Sequence, residues 1–444
     1  MNLCKSILNL SIITFISVQP VEAQLPDTAQ VFTLEEIWKT VTAGNRQLKL
    51  SLLYVAESKI SVLEAKDHLL PELHAGGDLK LNSKFLIYNN GLFSSPQNVP
   101  VSGYGYGVGY NFNVNLFNGG KDRRNIRIRQ EEETRKQYEF DLQKSNVKYN
   151  AAVAYFDLYK FLHFRDFIST EISAEKKQIA LIENLHKNGI AMKSDVLRTS
   201  VKLSQLELSL SDVQKKIDNI KQKLNILMGR NSEQLLDIPY QDSFSPDTAK
   251  DAGYGDYLDI ALNQSPSYRI VNSDIRLSDL NIKQVKSTLL PSVSLYSNYN
   301  YTYPQISFYP YSNDLWGFGQ TGVRVQFSID NLYRSKHSIA HAKVIKEEAK
   351  EKAGIKKDEI AIQVNEAYLQ QQQALESVAT AEKNIAMSIE TVRVIRNSYL
   401  NQESLLTDLL DAENELLEAK FNLTTAQVNV KLSHIRLLAI TGIL

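Results

Sequence analysis

The chain has 444 residues, with 50 Lys and Arg against 50 Asp and Glu, so it lacks the basic footprint of a nucleic-acid binder and no nucleic-acid partner is expected. Its length exceeds one compact core, which leaves several domains or an extended shape. Its only cysteine is Cys4, so the rest of the chain offers neither a disulfide nor a thiolate metal site.

Residues 1–23 read as a secretory signal peptide. Lys5 supplies a positive start, Ile7 to Val18 is mostly apolar, and Val21-Glu22-Ala23 suits cleavage before Gln24. Cys4 precedes the apolar stretch, whereas a lipoprotein cysteine would follow it. Beyond residue 23 no run of about 18 apolar residues occurs, so no transmembrane helix is expected. An exported chain of this kind is either water-soluble or a membrane β-barrel.

Helices are expected over 33–68, opened by Thr33 and Glu36 at capping-box spacing, with one of about 24 residues over roughly 45–68 that ends at Leu69-Leu70-Pro71. A strand hairpin over 72–117 follows. Its first arm puts Leu73, Ala75, Gly77, Leu79 and Leu81 on one face. Its second arm alternates more sharply. Tyr104, Tyr106, Val108, Tyr110, Phe112, Val114 and Leu116 share one face, and every odd position from Gly103 to Asn115 is Gly or Asn. A strand in water usually carries Lys, Glu or Thr on its wet face. A barrel strand in lipid turns aromatic and apolar residues outward and small polar ones into the lumen. About 9–11 residues cross a bilayer at the usual tilt, and Tyr104 to Phe117 supplies that length.

Long coiled-coil helices are expected over 121–228. The first, roughly 121–188, would span on the order of 100 Å at about 1.5 Å per residue. It carries two apolar stripes, one through Tyr138, Leu142, Tyr149 and Phe156, the other through Val147, Ala151, Ala154 and Leu158. Two stripes suit a helix with neighbours on both sides, as in a closed ring of helices. After residues 231–262 the same order returns over 263–444. A helix at 264–288 ends in Leu289-Leu290-Pro291, a hairpin spans 292–330, and long coiled-coil helices cover 334–440. The hairpin faces are Val293, Leu295, Tyr299, Tyr301 and Tyr303, then Val323, Val325, Phe327 and Ile329.

The two halves are a duplication. Asn118 and Asn331, Ile126 and Ile339, Asp195 and Asp408, and Gly229 and Gly442 all stand 213 residues apart. Upstream the two Leu-Leu-Pro motifs stand 220 apart, so the first hairpin is 7 residues longer. Val196, Thr199, Leu203, Leu206, Leu210 and Val213 form a heptad seam, and Leu409, Ala412, Leu416, Ala419, Leu423 and Ala426 repeat it in the same phase. Four strands cannot close a barrel, and an open edge cannot face lipid. Several chains must therefore share one barrel, and three would bring twelve strands.

"FTLEEIWKTVTAGNRQLKL", "LNQSPSYRI", "LLPEL", "LLPSV", "LFNGGKDRR", "NGIAMKSDVLR" and "LLTDLLDAE", in this order and twice over, resemble the TolC-like family of outer-membrane efflux channels. The resemblance implies a mainly α fold with a membrane β-barrel. It implies a homotrimer with a shared 12-stranded barrel among outer membrane lipids, a periplasmic α-helical barrel, and an equatorial region that includes 231–262. It also implies a passive conduit opened by a periplasmic adaptor protein and an inner-membrane pump, with no catalytic step and no cofactor or metal. Asp408 and Asp411 match family acidic residues that ring the periplasmic aperture. Asp195 and Tyr399 match residues that tie the helix turns together in the closed state. The family's glycine in the second turn is Gln402 here, and a basic partner is replaced by Ser404. Asp195 and Asp408 also suit simple helix capping. Two other readings are an outlet for type I protein secretion and a soluble coiled-coil scaffold. Enzyme motifs are absent: His337 and His341 enclose Ser-Ile-Ala, without the glutamate of a metalloprotease helix.

Overall fold

The computed structural model describes residues 30–239 and 253–444, and the expected signal peptide lies outside them. In chain order the elements are β1 (Gln30–Val31), α1 (Leu34–Gly44), α2 (Arg46–Asp67), β2 (Glu72–Leu81), β3 (Phe85–Ile87), β4 (Gln97–Val99), β5 (Tyr104–Asn118), α3 (Lys121–Lys187) and α4 (Lys193–Met228). The second half adds β6 (Leu236–Asp237), α5 (Tyr254–Gln264), α6 (Pro266–Lys286), β7 (Ser292–Tyr303), β8 (Trp316–Gln326), α7 (Asn331–Leu400) and α8 (Leu406–Thr441). No described helix is long and apolar enough to cross a membrane.

The helices expected over 33–68 are α1 and α2, and they divide at Asn45. Its side chain accepts from the N–H groups of Gln47 and Leu48 and so starts α2 afresh. The same side chain donates to the Leu227 carbonyl at 2.9 Å. The start of α2 therefore abuts the end of α4, and the two lie end to end beside α3. A Cβ on Gly44 would collide with the Met228 carbonyl. The second half repeats this joint. Ser265 and Pro266 open α6 against the end of α8, and a Cβ on Gly442 would stand 2.8 Å from the Gln264 carbonyl.

The repeat extends further upstream than residue 263. Helix α1, capped by Thr33 and Glu36, docks on α3, and the Trp38 indole donates to the Lys148 carbonyl at 2.9 Å. Its counterpart is α5, whose buried Tyr257 and Ala261 pack on Ile360, Val364 and Ala367 of α7 and Leu437 of α8. The segment expected as a linker over 231–262 thus contains a helix of the second half. The short parallel pair β1 and β6 adjoins this level.

Helix α3 has 67 residues without glycine or proline, and both of its apolar stripes are used. Helices α2 and α4 pack on one side, α6 and α8 on the other, with Val147, Ala151, Ala154 and Leu158 all buried. Helices α7 and α8 meet along a seam of small residues: Ala367, Ala374 and Ala381 against Ala412, Ala419, Ala426 and Ser433. Small side chains let helix axes approach to the close end of the usual ~8–10 Å range. The far side of α7 stays bare, with Ile355, Ile362 and Leu369 exposed at seven-residue spacing. Leu53 and Ile60 of α2 and Val201 and Leu208 of α4 are bare at the opposite margin.

One antiparallel sheet takes the order β2-β5-β7-β8. Its register unites the apolar faces read from sequence, except that Phe327 and Ile329 lie beyond the end of β8 at Gln326. Leu79 is opposite Tyr106, Val108 opposite Tyr301, Tyr110 opposite Tyr299, and Leu295 opposite both Val114 and Val323. The other face holds Gly105, Gly107, Gly109, Asn111 and Asn113 beside Asp78, Lys80, Asn298 and Asn300. The glycines make room there: a Cβ on Gly107 would lie 2.6 Å from the Asp78 carboxylate. Two details depart from the simple alternation. A bulge between Asn115 and Phe117 moves Leu116 out of register, so Phe117 instead faces Val293. The long β2–β5 connection also carries its own small hairpin, β3 with β4.

The joint makes a stability prediction. Gly44→Ala forces the α2 and α4 ends apart and lowers stability by about 1–3 kcal/mol. Gly354→Ala, in the open middle of α7, raises it by about 0.5–1 kcal/mol. Thermal melting of the detergent-extracted variants, side by side, reads both signs.

Candidate functional site

The far ends of the helix pairs form the tip opposite the sheet. Each turn there closes as a Schellman motif. The Gly189 N–H donates to the His186 carbonyl and Ile190 N–H to Leu185, both at 2.9 Å. In the second half Gln402 N–H donates to Tyr399 at 3.0 Å and Glu403 N–H to Ser398 at 2.8 Å. Gly189 has φ +74°, and its counterpart Gln402 holds φ +64° with a full side chain. The turn geometry survives the loss of glycine, at a cost of roughly 1–2 kcal/mol.

The predicted acidic residues begin the returning helices. The Asp195 carboxylate accepts from Met192 N–H at 3.2 Å, and Asp408 from Leu405 N–H at 3.1 Å. Both carboxylates therefore cap their own helices, where negative charge is favoured. Asp408 and Asp411 are exposed and one turn apart on α8. Asp411 also borders a groove between α4 and α8 that is lined by Leu197, Arg198, Val201 and Thr407.

Tyr399 packs with Val196 and Ala191 against the buried trio Ile182, Leu406 and Leu410, which joins the two hairpins. Burial, and secondarily the charge of Asp195, push its phenol above the usual tyrosine range. Asp195 and Tyr399 are thus neighbours, but no hydrogen bond joins them among the described residues. Asp195 has local donors instead: Met192 N–H and, at 3.4 Å, the Ser194 hydroxyl. Ser404, in place of a basic residue, donates to the Ile395 carbonyl of its own hairpin.

The strongest polar contact between the hairpins involves residues that the sequence reading passed over. Lys202 Nζ lies 2.7 Å from Glu413, 3.5 Å from Glu175 and 3.7 Å from Glu171. Arg396 reaches the other oxygen of Glu413 at 3.0 Å. The side chains of Lys202, Glu413 and Glu175 are only 7%, 5% and 1% exposed. Desolvation raises the Glu175 carboxyl to about 7 against the pull of Lys202. Oxygens of the three carboxylates lie within 4.8 Å of one another, and the ammonium supplies the positive charge that such a group otherwise draws from a metal ion. One signal was visible in sequence. Glu175 stands seven residues after Ile168 and seven before Ile182, a charge in a heptad position otherwise filled by isoleucine.

Comparison with known proteins settles the family. The model of the family described as "Outer membrane efflux protein" matches residues 39–230 and 257–443. The chain belongs to the outer membrane efflux protein family. This outer membrane efflux protein is an outer-membrane channel of the TolC-like kind, with a periplasmic helical extension, and it is a transport protein rather than an enzyme. Channels of the family typically function as trimers in tripartite pumps. Its fold is similar to that of CusC (TM-score 0.78, 15% identity, covering 93% of each chain). It is also similar to the outer membrane protein VceC of Vibrio cholerae (0.76, 14%, 92% of this chain and 96% of that one). The outer membrane channel CmeC of Campylobacter jejuni matches at 0.72 and 15% identity, over 100% of this chain and 94% of its own. No curated protein sequence matches the chain.

The left-handed turn at Gln402 is testable. Gln402→Gly relieves the strain and slows amide exchange at Glu403 severalfold, for a gain of about 0.5–1 kcal/mol. Gln402→Val has the opposite effect, because a β-branched residue tolerates this φ least.

Proposed function

We propose that this efflux channel works as a homotrimer whose twelve strands close one barrel and whose helices close one tube. The repeats at 24–230 and 263–444 and the segment 231–262 would form its barrel, tube and equatorial belt, with α5 lengthening the second repeat. The observation that carries this reading is the open sheet. Among the described residues strands β2 and β8 pair on one side only, and the sheet bears a continuous apolar face. In lipid such edges need partners of the same kind. The bare stripes on α7 and on α2 and α4 are unlike surfaces at opposite margins of the helical layer. Contact between unlike margins is head-to-tail, and head-to-tail contacts close into rings.

Energy and cargo choice come from partners in this reading. A periplasmic adaptor protein and an inner-membrane pump engage the tip, and solutes pass through the water-filled interior. Asp408 and Asp411 line the aperture. Three chains bring six carboxylates to one narrow ring, which attracts cations and repels anions. Asp195 and Tyr399 act with the apolar trio as the inter-hairpin contact of the resting state, through packing and capping. Helix capping and pore lining are compatible for Asp408, since a cap uses one carboxylate oxygen.

Two measurements test the reading. Light scattering of the detergent-extracted protein should give the mass of three chains, and a monomer would refute the shared barrel. In planar bilayers Asp408→Asn with Asp411→Asn should lower cation-over-anion selectivity severalfold. Unchanged selectivity would remove both residues from the aperture.

A further inference from the structure

We propose that the buried cluster of Lys202, Glu171, Glu175 and Glu413 is a proton-responsive latch, which holds the two hairpins together when Glu175 is protonated and loosens when it is ionised. The proposal rests on the reading of the tip as the entrance of the channel. Its basis is where the cluster sits. Glu171 and Glu175 belong to α3, Lys202 to α4, Glu413 to α8 and Arg396 to α7, so all four helices of the tip meet in it. Any movement of α7 and α8 away from α3 and α4 must pull Glu413 from Lys202.

The charges do not balance. Fully ionised, the cluster has three carboxylates against two cations. Arg396 is 52% exposed and touches only Glu413, so water screens much of its charge. Excess negative charge is therefore buried around Glu175, which is costly in a medium of low polarity. One proton on Glu175 removes the excess. It would also turn Oε1, now buried without a hydrogen-bond partner, into a donor beside the neighbouring carboxylates. Other charges nearby do not replace this proton. Lys176 and Glu207 pair with each other at 3.5 Å on the exposed surface. Arg198 and Asp411 border the adjoining groove and are themselves exposed.

The direction follows from linkage. The packed cluster holds its proton up to about pH 7, whereas a solvated glutamate loses it near 4.5. Between those values the packed state binds more protons than the separated one. Its advantage is complete below about pH 4.5 and fades as the pH rises through about 7. From about pH 5 to about pH 7.5 the ratio of packed to separated hairpins falls roughly 50-fold per protomer. Near neutral pH the latch is at the edge of release, where a docking partner has least to overcome.

Spin labels at Arg198→Cys and Thr407→Cys flank the groove between α4 and α8, in a chain whose only native cysteine lies in the expected signal peptide. Their distance distribution would be measured on the assembled protein at pH 5 and pH 8. With labelled chains diluted into unlabelled ones so that only distances within a protomer are read, we expect one short distance at pH 5 and a second, longer population at pH 8. Glu175→Gln should keep the short distance at both pH values. Lys202→Gln should move the transition to higher pH, since ionised Glu175 loses its partner. A distribution that ignores pH overturns the latch, as does Glu175→Gln responding like the parent or Lys202→Gln leaving the midpoint in place. The distance does not depend on ion selectivity. A failed aperture role for Asp408 and Asp411 would therefore appear only in the bilayer recordings, and a failed latch only here.

Discussion

A backbone amide placed in hydrocarbon must find its partner within protein, and much of this chain's design follows from that. The described sheet has four strands, so it meets the rule everywhere except at its two margins. In the proposed trimer the outer edges of β2 and β8 would find their partners on neighbouring copies. The tyrosines belong to the same constraint. Tyr106 stacks on Tyr303 with centroids 5.1 Å apart, and Tyr299 leans on Tyr301 at 5.1 Å. The outward face is thereby covered by broad rings that suit both lipid and its interface. On the inward face Gly105, Gly107 and Gly109 leave space for the side chains of neighbouring strands.

The helical layer answers a different demand, that of crossing a wide space with thin walls. Heptad seams allow long helices to stay in register without a globular core. The two hairpins do this differently. Helices α3 and α4 pair through large residues such as Ile168, Ile172, Leu206 and Val213, whereas α7 and α8 pair through alanines. Fused ancestry explains the common plan, and the separate seams show how far the copies have diverged. The cluster at Lys202 joins the two copies but is not itself duplicated: the counterparts of Glu175 and Lys202 are Ser388 and Glu415.

Much of the fold was legible in the sequence because its determinants are local. Period-2 alternation in Tyr104 to Val114 and the paired Leu-Leu-Pro breaks depend on neighbouring residues alone. The part Asn45 plays in the joint was harder, since its second partner, Leu227, lies 182 residues away. The bulge at Leu116 was hidden for a similar reason: it is defined by the strand opposite. At the tip the capping positions of Asp195 and Asp408 were readable from spacing. The ion cluster was legible only in part: Glu175 breaks an isoleucine heptad, but its meeting with Lys202 and Glu413 depends on α3, α4 and α8 coming together.

The end-to-end joints have a consequence for how such a molecule changes size. At Gly44 and Gly229, and again at Gly442 and Ser265, the helices that come from the tip end and the helices that lead to the sheet begin. The part beyond the joints is a plain coiled-coil stem. A whole heptad inserted there in each of α3, α4, α7 and α8 would lengthen the stem by about 10 Å while preserving every seam. Sheet, joints and turns would be left as they are. Reach and membrane anchoring are thus separately adjustable, and a lineage can fit the same barrel to periplasms of different depth.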